Sequence, residues 1–482
     1  MAKCATPASA TTTPTSRHRN EGCTPTPFSR RNRFRRVDGQ FLVTLPTPPR
    51  DKVRGMPDDA PMEGFPPPRE SVVNLANWQE PPFIRWSFQH LREVIPTQRI
   101  ARGIASRPLE DADGPLVVDD VAATRLESGR STLGAVLADT WTDAVLILHN
   151  GRVVLERYFG AMSVDTPHLL MSVSKSIVGC VAGILAEQGR LDTDAPITRY
   201  VPEVAGFGYD GATVRHLLDM RTGVAFREAY QEPDAEVRVM ERHMGWRPDS
   251  GSHSAGMYAY LASLGADGPH GGRFVYRSAD SDMLGWVCER AAGVRMADLV
   301  SNMIWAPMGA EYDAEITCDS VGSAVHDGGI SATARDIARF GQLLLDDGWR
   351  GEHAVIPERW LLSARRLDAD IRGAFAASDS EPVLPGGWYR NQFWFTPGPS
   401  GDIQLCLGIH GQMVFVDPGT RTVAVKFSSW PTEQNHAYLL DTIRAFTAAG
   451  RFLAELRPAE TADQIRLAGP FGIAAGRERG RG

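Results

Sequence analysis

Apolar and polar positions follow two different rhythms along this chain. Two apolar runs, Ala144-Val145-Leu146-Ile147-Leu148 and Val153-Val154-Leu155, flank Asn150-Gly151. Asn-Gly between strands favours the type I′ turn that matches strand twist, so a β-hairpin is expected here. Downstream, Val173, Ile177, Val178, Val181, Ile184 and Leu185 recur at helical spacing, and Gly189 supplies a stop. A buried helix is therefore expected to start near Ser172. From about Ala186 to Val325 the chain reads as helical and loop-rich. A helix over Thr333–Leu345 follows, then a glycine-interrupted strand from Leu405 ending in a hairpin turn at Asp417-Pro418-Gly419, a strand Arg421–Phe427, and a closing helix from about Asn435 to Ala448. The pattern predicts an α/β fold of the α+β type: an antiparallel sheet flanked by helices, with a mainly helical lobe inserted at about 186–325 and the site between lobe and sheet.

The candidate chemistry sits at the start of the first long helix, in Ser172-Val173-Ser174-Lys175. Helix positions three apart share a face, so a hydroxyl and an amine stand side by side. Burial disfavours an ammonium, and Lys175 is expected to have a lowered pKa and to accept the Ser172 proton. By itself S-x-x-K is a weak signal that more often marks a solvated lysine on an amphipathic helix. Two later segments narrow the choice: Tyr276-Arg277-Ser278, in a turn before a helix, and Leu407-Gly408-Ile409-His410-Gly411, where glycines in a strand mark a close approach.

In this order the three segments resemble the serine hydrolases of the penicillin-binding protein and class C β-lactamase superfamily. Asn77-Trp78-Gln79-Glu80-Pro81-Pro82-Phe83, Thr213-Val214-Arg215-His216-Leu217-Leu218-Asp219-Met220 and Gly328-Gly329-Ile330-Ser331-Ala332-Thr333-Ala334-Arg335-Asp336 look like the 6-aminohexanoate-dimer hydrolase branch, and the likeness runs from about Ser71 to Gly450. It implies a β-lactamase-like fold and an acyl-enzyme mechanism without metal or cofactor. Ser172 would attack a carbonyl, Lys175 would take its proton, and Tyr276 would bond to both and relay the proton to the leaving group. The oxyanion needs two backbone donors. Ser172 is one; Ile409 is expected to be the other, with Gln412 the alternative, because the K-T-G of the superfamily is not preserved. The strand also lacks the cation that would bind a β-lactam carboxylate. By the same resemblance, Tyr230 and Trp246 would wall an aliphatic chain and Glu241 would attract a terminal ammonium, against the plainer reading of loop packing. Asp327, beside His326, and Gly408 and His410 are further candidates for touching substrate.

Composition narrows the class. With 43% hydrophobic and 23% charged residues, the chain can bury a substantial core. Its net charge of −7 is uneven: residues 1–55 hold 11 Lys/Arg against 3 Asp/Glu, which leaves the body acidic and gives no electrostatic case for nucleic acid. Residues 1–60 read as a disordered basic leader rich in Pro, Thr and Arg without a secretory apolar stretch, 61–455 as the hydrolase body, and 456–482 as a solvated tail. The longest apolar run, around Ile177–Ala186, is too short to span a bilayer. Six cysteines at irregular spacing form no disulfide framework, which suits a cytoplasmic enzyme. Gly206-Phe207-Gly208-Tyr209-Asp210-Gly211 fits G-x-G-x-x-G but follows no strand, so it reads as a turn. The expected partner is a small amide or ester, with no membrane; a homodimer stays open. The rivals are a carboxylesterase with the same triad, a β-lactamase or cell-wall carboxypeptidase, and a silent binding protein; the last is disfavoured because Ser172, Lys175 and Tyr276 are all present.

Overall fold

The computed structural model describes residues 61–248 and 255–456; the expected leader and the tail beyond 456 lie outside them. Within these residues the hairpin forms as the Asn-Gly signal requires. Strands Thr142–His149 and Arg152–Tyr158 pair antiparallel across Asn150 (φ 51°) and Gly151 (φ 78°), both in the left-handed region that a type I′ turn needs.

The hairpin is part of an eight-stranded sheet. Its spatial order is Trp388–Arg390, Phe393–Gly398, Gly401–Gly408, Gln412–Asp417, Thr422–Ser428, Thr142–His149, Arg152–Tyr158 and Glu110–Asp111. Neighbours run antiparallel except the last pair. The late strand Thr422–Ser428 pairs with the early strand Thr142–His149, so early and late parts of the chain meet inside the sheet. Strand side chains alternate between faces, and each face has its own core. Leu146, Leu148, Val414 and Val425 pack with Ile177 of helix Val173–Glu187 and Ile337 of helix Ala334–Leu345. Val145, Ile147, Phe415 and Ala424 pack with Phe446 of helix His436–Glu455. Thr333 and Asn435 cap the latter two helices, their side chains accepting the N–H of Asp336 and Tyr438.

Three expectations need correction. Leu405–Gly419 is not one interrupted strand: Gly401–Gly408 and Gln412–Asp417 are antiparallel partners joined by a 3₁₀ turn, Ile409–Gly411. His410 (φ 59°) and Gly411 (φ 92°) reverse the chain there, so the glycine signal marks a turn. The helical lobe ends before Ala314 instead of near Val325, because Ala314–Thr317 joins Thr97–Ile100 and Ile330–Ala332 in a second sheet, completed by His168–Leu169. The closing helix runs on to Glu455. Among the described residues, no helix is long and apolar enough to cross a membrane, and Cys180, Cys288, Cys318 and Cys406 are buried and unpaired.

Candidate active site

The second sheet feeds directly into the site. After His168–Leu169, Met171 takes a left-handed φ of 48°, and this sharp corner sets Ser172 at the N-cap of Val173–Glu187. Gly408 makes the corner possible: a Cβ there would lie 2.6 Å from the Leu170 carbonyl oxygen and 3.1 Å from Met171 Cβ. Its close approach is thus to the Ser172 corner. The neighbouring hydroxyls are committed elsewhere. Ser174 Oγ accepts from Ile330 N at 3.1 Å, and Ser176 Oγ donates to the Gln392 carbonyl at 2.8 Å.

Lys175 is 1% exposed, and its Nζ donates to Ser172 Oγ at 2.8 Å. It also donates to Ser278 Oγ (3.2 Å), the Asp327 carbonyl (2.8 Å) and Asp327 Oδ2 (3.3 Å). The Tyr276 phenol stands close enough to Ser172 and Lys175 for both side chains to oppose the rise of its pKa, and Lys175 Nζ lies 5.2 Å from its ring centroid. Trp394 stacks on that ring at 5.3 Å. Hydroxyl, amine and phenol therefore converge on one point.

The electrostatics reverse one expectation. Burial does push the Lys175 pKa down, but Tyr276, Asp327, Glu228 and Asp282 outweigh it and hold the ammonium above its ordinary range. A helix-only view of Lys175 omits these partners, because none lies on its helix. Burial raises the Tyr276 pKa, with the Lys175 charge opposing.

A small cavity opens in front of Ser172, lined by Met171, Tyr230, Val237, Met240, Glu241, Met244, Trp246, Asp327, Gly328 and Ile409. Of the residues named from sequence, Tyr230, Glu241, Trp246, Asp327 and Ile409 thus reach it together. Gln412 does not line it: its amide is spent on Ser428, accepting from N at 3.1 Å and donating to O at 2.7 Å. Gly408 and His410 stay outside the lining as well. His410 is buried against Phe88, with Nδ1 2.8 Å from the Trp430 carbonyl, and burial pushes its pKa down to about 4. His326 is buried on Tyr258, 2.7 Å from its hydroxyl. Glu241 arrives with its charge already matched. Arg238 Nη1 donates to both carboxylate oxygens at 3.0 and 2.8 Å, and Arg247 Nε donates to Oε2. The expected free anion awaiting an ammonium is absent, because two guanidiniums occupy it.

Sequence reasoning missed Glu228 and Asp282. Glu228 accepts from Tyr230 Oη (2.6 Å), Ser278 Oγ (2.7 Å) and Ser278 N (3.0 Å). No spacing in the chain links it to Ser278, fifty positions on. Asp282 could have been found, since it lies four residues after Ser278 on the same helix face. Among the described residues, no group of three or more His, Cys, Asp or Glu side chains is placed to hold a metal ion.

A beta-lactamase family model matches residues 133–448, two-thirds of the chain. The chain belongs to the beta-lactamase family. It is a serine hydrolase of that fold. The chain is 39% identical over 381 residues to the 6-aminohexanoate-dimer hydrolase of Paenarthrobacter ureafaciens, a match that covers 78% of this chain and 94% of the relative. A solved structure from Bacillus anthracis, which carries 6-aminohexanoate-dimer hydrolase as a provisional name, superposes with a TM-score of 0.72. It is 27% identical and covers 81% of this beta-lactamase-family chain and all of its own. The hydrolase EstCE1, which has promiscuous acyltransferase activity, shares the fold at a TM-score of 0.53 and 19% identity, over 65% of this chain and 97% of its own.

Proposed function

We propose that this protein hydrolyses small linear amides or esters through an acyl-enzyme on Ser172, as a 6-aminohexanoate-oligomer-hydrolase-like member of its family. The observation that carries this reading is the 2.8 Å contact of Ser172 Oγ with Lys175 Nζ at the mouth of a methionine- and tryptophan-walled cavity. Ser172 attacks the carbonyl carbon, and Lys175 in its neutral form takes the hydroxyl proton. Tyr276, beside both, passes that proton to the departing amine or alcohol. The N–H groups of Ser172 and Ile409 receive the oxyanion; Ile409 is supported over Gln412 because it alone of the two lines the cavity. Every step uses side chains and backbone groups, so no metal or cofactor is assigned. Tyr230, Met240, Met244 and Trp246 suit an aliphatic acyl chain.

The test is a screen of p-nitrophenyl acetate and butyrate, linear ω-amino-acid oligoamides and nitrocefin against the purified protein and Ser172→Ala. Ester or amide turnover that disappears in Ser172→Ala is expected. Nitrocefin turnover equal to that of the esters would overturn the substrate class, since the turn Ile409–Gly411 offers a β-lactam carboxylate no cationic partner beyond the buried, neutral His410. Turnover that survives Ser172→Ala would overturn the mechanism.

A further inference from the structure

Three carboxyl groups surround one buried ammonium. Glu228, Asp282 and Asp327 all raise the Lys175 pKa, yet the acyl-enzyme step requires Lys175 as a neutral amine. Lys175 must therefore give up a proton before Ser172 can give one to it. The acceptors around Nζ decide where that proton goes. Ser278 Oγ is a hydroxyl that already donates to Glu228 Oε1, and the Asp327 carbonyl is backbone. Glu228 receives Tyr230 Oη, Ser278 Oγ and Ser278 N on its two oxygens. Asp327 Oδ2, 3.3 Å from Nζ, is the carboxylate oxygen in direct contact with it among the described residues. The other oxygen, Oδ1, is buried without a partner.

Behind Asp327 stands Asp282, 0% exposed, on helix Ser278–Ala292. Its Oδ1 accepts the N–H groups of His326 (2.8 Å) and Asp327 (3.0 Å), which pins the loop that carries Asp327. Its Oδ2 is buried without a partner as well. Burial first, and then the Asp327 charge, push the Asp282 carboxyl well up. The charged and titratable groups facing this pair include Lys175 from helix Val173–Glu187, Tyr276 and Glu228 across Lys175, His326 next along the chain, and Tyr209 and Tyr258 on the Asp282 side.

We propose that Asp327 is the proton store of Lys175, positioned by Asp282. This rests on the acyl-enzyme reading above. When substrate fills the cavity that Asp327 lines, water leaves and the ion pair loses solvation, which favours its neutral form. One Lys175 N–H bond breaks as Asp327 Oδ2–H forms, with no change in net charge. The freed amine takes the Ser172 proton as the Oγ–C bond forms and the carbonyl electron pair moves onto oxygen. Tyr276 then relays that proton to the leaving group as the C–N or C–O bond breaks. In deacylation, Lys175 takes a proton from water and returns it to Ser172 Oγ. When product leaves, Asp327 gives its proton back to Lys175.

The experiment is the pH profile of kcat/KM for p-nitrophenyl butyrate, from about pH 6 to pH 10, for wild type, Asp327→Asn, Asp327→Glu and Ser172→Ala. Asp327→Asn should be about 10²-fold slower near neutrality, the scale of a proton-transfer contribution. Its deficit should shrink as pH rises, because Lys175 must then lose its proton to solvent; Asp327→Glu should restore the wild-type profile shape. Asp327→Ser, measured in the same way, replaces the Asn variant if that does not fold. A variant within about threefold of wild type across the range, or a deficit constant with pH, overturns the store. An inactive Ser172→Ala beside a wild-type-like Asp327→Asn unseats only the store, whereas an active Ser172→Ala unseats the acyl-enzyme reading itself.

Discussion

Lys175 offers three N–H bonds to four acceptors, and its partners come from three separate stretches of chain: Ser172, Ser278 and Asp327. Groups that act as a unit lose activity non-additively. Lys175→Ala and Tyr276→Phe should each lower turnover by about 10²-fold, and the double variant should be little worse than either; steady-state kinetics on folded protein checks this. A fluorophosphonate probe should label Ser172 alone, read by peptide mapping. Ser174 and Ser176 are engaged with Ile330 and Gln392, and label on either would contradict the assignment. Glu241 makes the opposite kind of prediction. Its carboxylate is clasped by Arg238 and Arg247, so Glu241→Gln should change KM for an amino-terminated oligoamide by less than about threefold. A tenfold rise would show that the anion does meet substrate.

At the scale of elements, the Ser172 corner depends on how closely the turn after Gly401–Gly408 can approach it. Any side chain at 408 meets the Leu170 carbonyl, which cannot move without shifting Ser172. Gly408→Ala is expected to cost about 1–3 kcal/mol of stability, the range for overpacking a tight contact, and to lower turnover out of proportion to that loss. Denaturant melts beside kinetics separate the two effects; a variant that melts earlier but keeps full kcat would show that the corner tolerates the shift. The turn Ile409–Gly411 also explains why Ile409 faces the cavity while Gln412 does not. Reversal at His410 and Gly411 sends the next strand back into the sheet and leaves Ile409 at its tip.

For the whole molecule, the central strand Thr422–Ser428 carries Lys426, fully buried, donating to the Thr140 carbonyl at 3.0 Å and to Ser428 Oγ, with the Trp430 ring 5.6 Å away. Burial lowers its pKa from 10.5 to about 7, against the opposing pull of Asp143. Between those values the unfolded chain binds a proton that the folded protein does not, so stability rises with pH across that window and is lowest below it. Lys426→Met should remove this slope and raise stability near neutrality by a few kcal/mol, about 1.4 kcal/mol for each pH unit of lowered pKa. Urea melts from pH 6 to about pH 10 test it; parallel slopes in variant and wild type would show that Lys426 does not titrate there.

The chain's local patterns determined the hairpin at Asn150-Gly151, the buried helix that starts at Ser172, and the pairing of Ser172 with Lys175. Each depends on residues within a few positions of one another, and short-range geometry suffices. The order of motifs marked Tyr276 as their companion, because its neighbours Arg277 and Ser278 complete a recognisable segment. Tertiary structure alone decided what surrounds Lys175. Asp327, Glu228 and Asp282 come from a loop, the lobe and a second helix, and their charges turn an amine expected to be neutral into an ammonium. It also decided that the glycines near 408 serve a corner and a turn. A pKa or a free charge is a sum over neighbours in space, and those neighbours lie far apart along the chain.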